Sequence, residues 1–263
     1  GALRYRRAQA VVVVVLSALV TACLVLAPLY TRALEQSTVT TLLRAATPTE
    51  SGIRLASFSS AEPGIALDPD DLAELIPSSI RARYGTAIAA TSVGVRRMPL
   101  GPEPGGVLLA RDNACAHVTF VKGQCPSAAG EIAVSADQAK VYEHAIGTAV
   151  FVGEFDGAVS LPTASPRTTL HVVGIYEQVD GSYWFGERLT GQASARLGFD
   201  TMLTPLTTLT ERVTAVDGQL TTWFERHYAL DLPLLTDTVG VDQIGPLGAT
   251  VADLVRYPMG VER

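Results

Sequence analysis

Cys115, His117 and Cys125 stand close together in the stretch NACAHVTFVKGQCPSAAGE, and they are residue types that hold a metal or form a disulfide. A metal site built on them lacks a fourth ligand at recognisable spacing. A disulfide between Cys115 and Cys125 is the natural reading in an oxidising compartment. Closing so short a loop stabilises the fold by about 2–3 kcal/mol. Elsewhere the chain carries no GxxxxGK[ST], no GxSxG and no HExxH, and its carboxylates show no paired pattern. The histidines His117, His144, His171 and His227 are isolated from one another. His171 opens an apolar strand and is read as structural. No catalytic, cofactor-binding or metal-binding residue is therefore assigned, and the chain is read as a non-enzyme. Tyr183, Trp184 and Phe185 follow Asp180-Gly181 and have two readings: a partner-contact loop, or a lid folded back on a small core. Trp223 and Phe224 are read as core residues of a strand.

The third cysteine decides where these residues lie. Val20-Thr21-Ala22-Cys23 has the form of a lipobox, in which cleavage precedes a lipidated cysteine. Yet no charged residue occurs between Arg7 and Arg32, more than the ~20 residues that cross a ~30 Å hydrocarbon core as a helix. A signal-peptide apolar region is shorter, at ~7–15 residues. Here Leu24, Val25, Leu26, Ala27, Pro28 and Leu29 continue the apolar run past the cysteine. The segment is read as a membrane span that passes through Cys23. Arg4, Arg6 and Arg7 hold its N-terminal end in the cytoplasm by the positive-inside rule. Everything beyond about Tyr30 is then extracytoplasmic. Pro28 marks a kink or the emergence from lipid. The following TRALEQSTVTTLLRAATPTE keeps Leu34, Val39, Leu42, Leu43 and Ala46 at helical spacing, with no breaker before Pro48. A helical stalk to about Ala46 is expected, and a stiff stalk, unlike a flexible tether, carries displacement.

Beyond the stalk the pattern is that of one α+β domain over 47–263. Strands are expected at Gly52–Phe58, Thr86–Met98, Val107–Asp112, His117–Val121, Glu131–Val134, Thr148–Gly153 and Thr168–Gln178. One further strand is expected in each of DTMLTPLTTLTERV and GQLTTWFERHYAL. Asp68 caps a helix with Pro69 at its first position, and Pro77 divides it. Ser135 caps a short helix to about His144, and GPLGATVADLVRY ends in helix. The 263 residues carry a net charge of −6 and 48% hydrophobic residues, with a mean hydropathy of +0.26. With no basic cluster beyond the N-terminus, nucleic-acid binding is excluded.

These features resemble the start of an FtsX-like ABC-transporter permease: a basic N-terminus, a span ending LAPLYTRALEQ, a helical continuation and a mixed outer domain. GQCPSAAGEIAVSADQAKVYEHAIGTAV, then TLHVVGIYEQ, then GSYWFG resemble the actinobacterial branch. The GEIAVS…A…G…V…VVGIY arrangement is similar to the periplasmic core domain of MacB-type permeases. The resemblance implies four membrane helices, with this domain between the first two, in a permease dimer in the cytoplasmic membrane. It implies a separate cytoplasmic ABC ATPase that binds ATP, so the chain itself takes no cofactor. It further implies export, extrusion or activation of an extracytoplasmic substrate or partner protein. The alternative is a single-span membrane-anchored receptor or binding module with no transport role.

Overall fold

The computed structural model describes residues 2–59, 67–97, 105–154, 168–195, 198–210, 213–214, 220–221 and 226–256. Trp223 and Phe224 fall outside them. The chain forms two compact units, Gly1–Ala46 with Leu235–Val261, and Thr47–Leu234. The sequence pattern had run 47–263 together as one domain, and here Leu235–Val261 groups with the N-terminal helix.

In the first unit, α1 (Ala2–Ala45) is one helix with Pro28 inside it. Its stretch Ala10–Ala45 is long and apolar enough to cross a membrane, and every described residue from Ala10 to Glu35 is exposed. Polar residues sit in this helix by bonding back onto it: the Thr21 hydroxyl donates to the Ser17 carbonyl (2.8 Å) and Thr31 to Ala27 (3.0 Å). The later segment returns along the helix in the opposite sense. Arg44 Nη2 donates to Asp237 Oδ1 (2.7 Å), the Val241 N–H donates to Gln36 Oε1 (2.9 Å), and Arg32 pairs with Asp242.

The second unit begins at α2 (Pro48–Ser51), where Thr47 and Glu50 form a capping box. Then come β1 (Ile53–Ser59), α3 (Pro69–Glu74), α4 (Ser78–Arg81), β2 (Ile88–Arg97) and β3 (Gly106–Arg111). A 3-10 turn (Ala114–His117) leads into β4 (Val118–Gly123), β5 (Glu131–Ser135), α5 (Ala136–Val141), β6 (Ala149–Glu154) and β7 (Thr168–Gln178). A second 3-10 turn (Ser182–Trp184) precedes β8 (Met202–Leu203), α6 (Leu206–Thr210), β9 (Val213–Thr214), β10 (Leu220–Thr221) and β11 (Arg226–Leu232). α7 (Val241–Arg256) closes the described chain in the first unit.

The main sheet runs β1-β11-β2-β3-β8-β5-β7-β4, with β6 paired to both β2 and β7. The pairs β3–β8 and β5–β7 are parallel and the rest antiparallel. Because β6 joins β2 to β7, six strands close a ring β2-β3-β8-β5-β7-β6. The side chains inside it form the larger core, among them Val93, Val95, Leu108, Ile132, Val134, Val152, Leu170 and Met202. A second core lies on the other face, around Leu109, Val118, Ala133, Tyr176, Trp184 and Leu203. The fold is mixed α+β with one long apolar N-terminal helix.

Local chemistry explains most boundaries. Asp68 accepts the backbone N–H groups of Asp70 and Asp71, and Pro69 opens α3. Pro77 separates α3 from α4. One expectation changes. The helix after Ser135 ends at Val141, short of His144, because Glu143 takes a left-handed conformation (φ 55°). DTMLTPLTTLTERV holds its expected strand as β8, after which the chain turns at Pro205 into the short α6.

Candidate functional site

Asn113 adopts φ 59°, a left-handed conformation that asparagine tolerates, and it turns the end of β3 into the 3-10 turn. That turn carries Cys115 and His117. The structure joins Cys115 to Cys125 in a disulfide with a Cα–Cα distance of 5.9 Å. With both sulfurs bonded, a site holding Cys115, His117 and Cys125 as metal ligands is overturned. Among the described residues, no group of three or more His, Cys, Asp or Glu side chains comes together to hold a metal.

The aromatic loop folds onto this turn. The Tyr183 ring stacks on His117 at 3.6 Å, and its hydroxyl donates to the Asp112 carbonyl. Trp184 Nε1 donates to the His117 carbonyl (3.3 Å), and Phe185 follows in a left-handed conformation. Trp184 and Phe185 are buried, so their rings are core and cannot form a partner-contact surface in this conformation. Tyr183 is half-buried. Burial pushes its hydroxyl pKa up, opposed by the neighbouring Arg111 charge.

Beneath the loop lies a charged network that residue patterns did not single out. Arg111 and Asp231 have fully buried side chains, with Arg111 Nη1 2.7 Å from Asp231 Oδ2. Arg111 Nη2 donates to the Tyr183 carbonyl (2.7 Å), and its guanidinium lies 4.9 Å from the Tyr183 ring centre. Asp231 also receives Arg54, through Nε to Oδ1 at 2.5 Å and Nη2 to Oδ2 at 2.8 Å. Arg54 Nη1 reaches Glu187 Oε1 at 2.7 Å. Hydrogen bonding to Asp231 holds the Arg54 pKa above its ordinary value. Two cations and two carboxylates balance, as burial requires.

Beside the network is a cleft of about 270 Å³, lined in part by Ala89, Ala110, Asp112, Asn113, Leu206 and the disulfide. It falls below the ~300–1,000 Å³ of usual small-molecule sites. Its wall holds the Asp112 carboxylate, the Asn113 amide, Arg111, Thr91, Thr204 and apolar groups.

The remaining histidines are dispersed. His171 is exposed on β7, His144 is buried near Tyr142, and His227 lies 6.4 Å from Phe58, ring centre to ring centre. Arg111 had one signal in the sequence, a charge ending the apolar run VLLA. Its partner lies 120 positions away, beyond any periodicity.

No family model matches the chain, and no curated protein matches it. Among solved structures, a domain assigned to a permease protein from Porphyromonas gingivalis is similar, at 12% identity and a TM-score of 0.34, over 80% of this chain and 85% of that one. Likeness at that level carries no conclusion about family or activity.

Proposed function

We propose that the chain is the permease subunit of an FtsX-like ABC transporter, with a MacB-like outer domain. Its N-terminus is cytoplasmic and the Thr47–Leu234 unit extracytoplasmic. Two copies work with a separate cytoplasmic ATPase, which binds the ATP. The chain performs no catalysis and takes no cofactor itself. It passes ATP-driven motion outward to export, extrude or activate a partner.

The observation that carries this reading is the unbroken helix α1. Its 44 residues at ~1.5 Å each extend about 66 Å, twice the ~30 Å hydrocarbon core. The segment after Leu234 ties back to that helix at Arg44, Gln36 and Arg32. A rod braced this way transmits displacement where a flexible tether dissipates it.

The test is affinity purification of the tagged protein from native membranes in mild detergent. The expected result is an ABC ATPase subunit in stoichiometric amount, released by substitutions on the cytoplasmic side. Recovery of a signalling protein and no ATPase would overturn the permease reading in favour of a single-span receptor.

A further inference from the structure

We propose that the cleft beside the Cys115–Cys125 disulfide binds a compact hydroxylated amine, its ammonium group held by Asp112 and a hydroxyl by Thr91. The inference goes beyond the permease reading and does not depend on it, since every residue it uses lies within the Thr47–Leu234 unit.

The cleft exists because of what two neighbouring strands carry on one side. β2 and β3 register Val93 with Leu108 and Thr91 with Ala110, and the Asp112 N–H donates to the Ala89 carbonyl (3.0 Å). Alternate residues of a strand share a face, so Val93, Thr91 and Ala89 form one row and Leu108, Ala110 and Asp112 the row beside it. Val93, Leu108 and Ala110 belong to the larger core, which places both rows on the inner side of the ring. Along the rows the side chains shrink and then turn polar. Val93 and Leu108 fill the interior, Thr91 and Ala110 leave room, and Ala89 and Asp112 stand at the end. All four of these last residues line the cleft. It is therefore the mouth of the ring, and barrel mouths are favoured ligand positions.

Its polar groups select the ligand. Thr91 is only 2% exposed, yet among the described residues its hydroxyl bonds no other group. A buried hydroxyl on a cavity wall is satisfied by what enters the cavity. Asp112 is exposed at the rim, where its Oδ2 accepts the Ala89 N–H (3.0 Å) and no described cation pairs with it. Arg111 also lines the cleft, but its side chain lies on the opposite face of β3, where it meets Asp231 and the Tyr183 carbonyl. Across the mouth stands Pro69, flanked in sequence by the exposed carboxylates of Asp68 and Asp70. The mouth is thus acidic and favours a cation. Apolar Pro126 and Leu206 also line it, and its volume is that of about nine waters in the liquid. Such a space takes a small carbon skeleton rather than a bare metal ion. An ammonium donates to Asp112, and hydroxyls on the skeleton pair with Thr91 and the Asn113 amide.

The test uses the full chain in phosphatidylcholine nanodiscs, with empty nanodiscs as the blank. Saturation-transfer NMR follows glucosamine and ethanolamine up to tens of millimolar in mildly acidic buffer, where both amines are protonated. Glucose, which carries a hydroxyl in place of the amine, is the neutral comparison. Saturable binding of an amine is expected, with glucose weaker by about tenfold or more. Asp112→Asn should weaken amine binding by about tenfold or more, and Thr91→Val by roughly threefold to tenfold. Thr91→Val continues the row of Val93 and removes only an unpartnered hydroxyl, so its thermal unfolding, followed by Trp184 fluorescence, should match the parent. If Asp112→Asn unfolds early, Thr91→Val alone decides. No saturable binding of either amine would mean that the mouth holds only water, and would overturn the proposal. Glucose binding as well as glucosamine would overturn the role of the charge. Amine binding unchanged by Thr91→Val would place the amine outside the cleft and overturn the proposal equally.

Discussion

Replacing Asp231 with asparagine keeps the shape of the side chain and removes its charge. Arg111, with a fully buried side chain, then has no counter-charge, and Arg54 keeps only Glu187. Leaving a buried cation unpaired costs about 3–5 kcal/mol. Domains of this size unfold in urea with slopes of about 2–3 kcal/mol/M, so the midpoint should fall by about 1–2 M. Trp184 is a built-in reporter, since it is buried and its ring centre lies 5.9 Å from the Arg111 guanidinium. Its fluorescence follows the transition in detergent-solubilised protein. The companion variant Arg111→Met with Asp231→Leu removes both buried charges and should regain most of the loss, to within about 1 kcal/mol of the parent. A fall below about 0.3 M for Asp231→Asn, corresponding to under ~1 kcal/mol, would refute the account of the pair as mutually dependent charges. A double variant as unstable as the sum of its singles would refute it equally.

Three other outcomes are expected. Changing Cys115 and Cys125 together to serine should cost about 2–3 kcal/mol, with hydrogen exchange rising first in β4, an edge strand enclosed by the loop; unchanged exchange there would count against this. Gly123→Ala should destabilise by about 2–3 kcal/mol, because Gly123 sits at φ +72° and an added Cβ would lie 2.1 Å from the Val173 carbonyl oxygen; urea titration measures it. Glu131 accepts the backbone N–H groups of Ser127 and Ala128, which lowers its pKa below the ordinary 4.5. Its contribution is present above the unfolded-state pKa and lost as pH falls through the lowered folded value. The midpoint gap between the parent and Glu131→Gln should therefore be full at pH 7 and shrink as pH falls below the ordinary carboxylate range; a gap constant with pH would exclude this role.

Local signals in the chain were strong where a few adjacent residues set the outcome. Asp68 with Pro69, Pro77 and Ser135 each placed a helix boundary, because caps and prolines act within one turn. β-Branched residues in TTLHVVGIYEQ marked β7, and Leu170, Val172 and Ile175 of that strand enter the larger core. The order of strands was not legible, since β11 enters between β1 and β2 by pairing across the length of the unit. The same limit hid Arg54, Arg111 and Asp231: each charge looks like a surface residue until the fold brings its partner. The aromatic triplet carried two readings because Gly-flanked aromatics serve surfaces and cores alike, and only the seating of Trp184 and Phe185 separates them.

The pairing of β1 with β11 has a mechanical consequence. Ile53, beside the unit's entrance, is registered with Leu232, beside its exit. Tension applied at those two neighbouring points would open the ladder like a zipper, one rung at a time. It would not shear all the rungs at once. The second rung is Arg54 with Asp231, and Asp231 is fastened in turn to Arg111 on β3. The weakest place under load thus carries a clasp that reaches three strands inward. A pull on the two chain ends would move the domain as one body until that clasp yields, which sets an upper limit on the force the domain can bear before it begins to unravel.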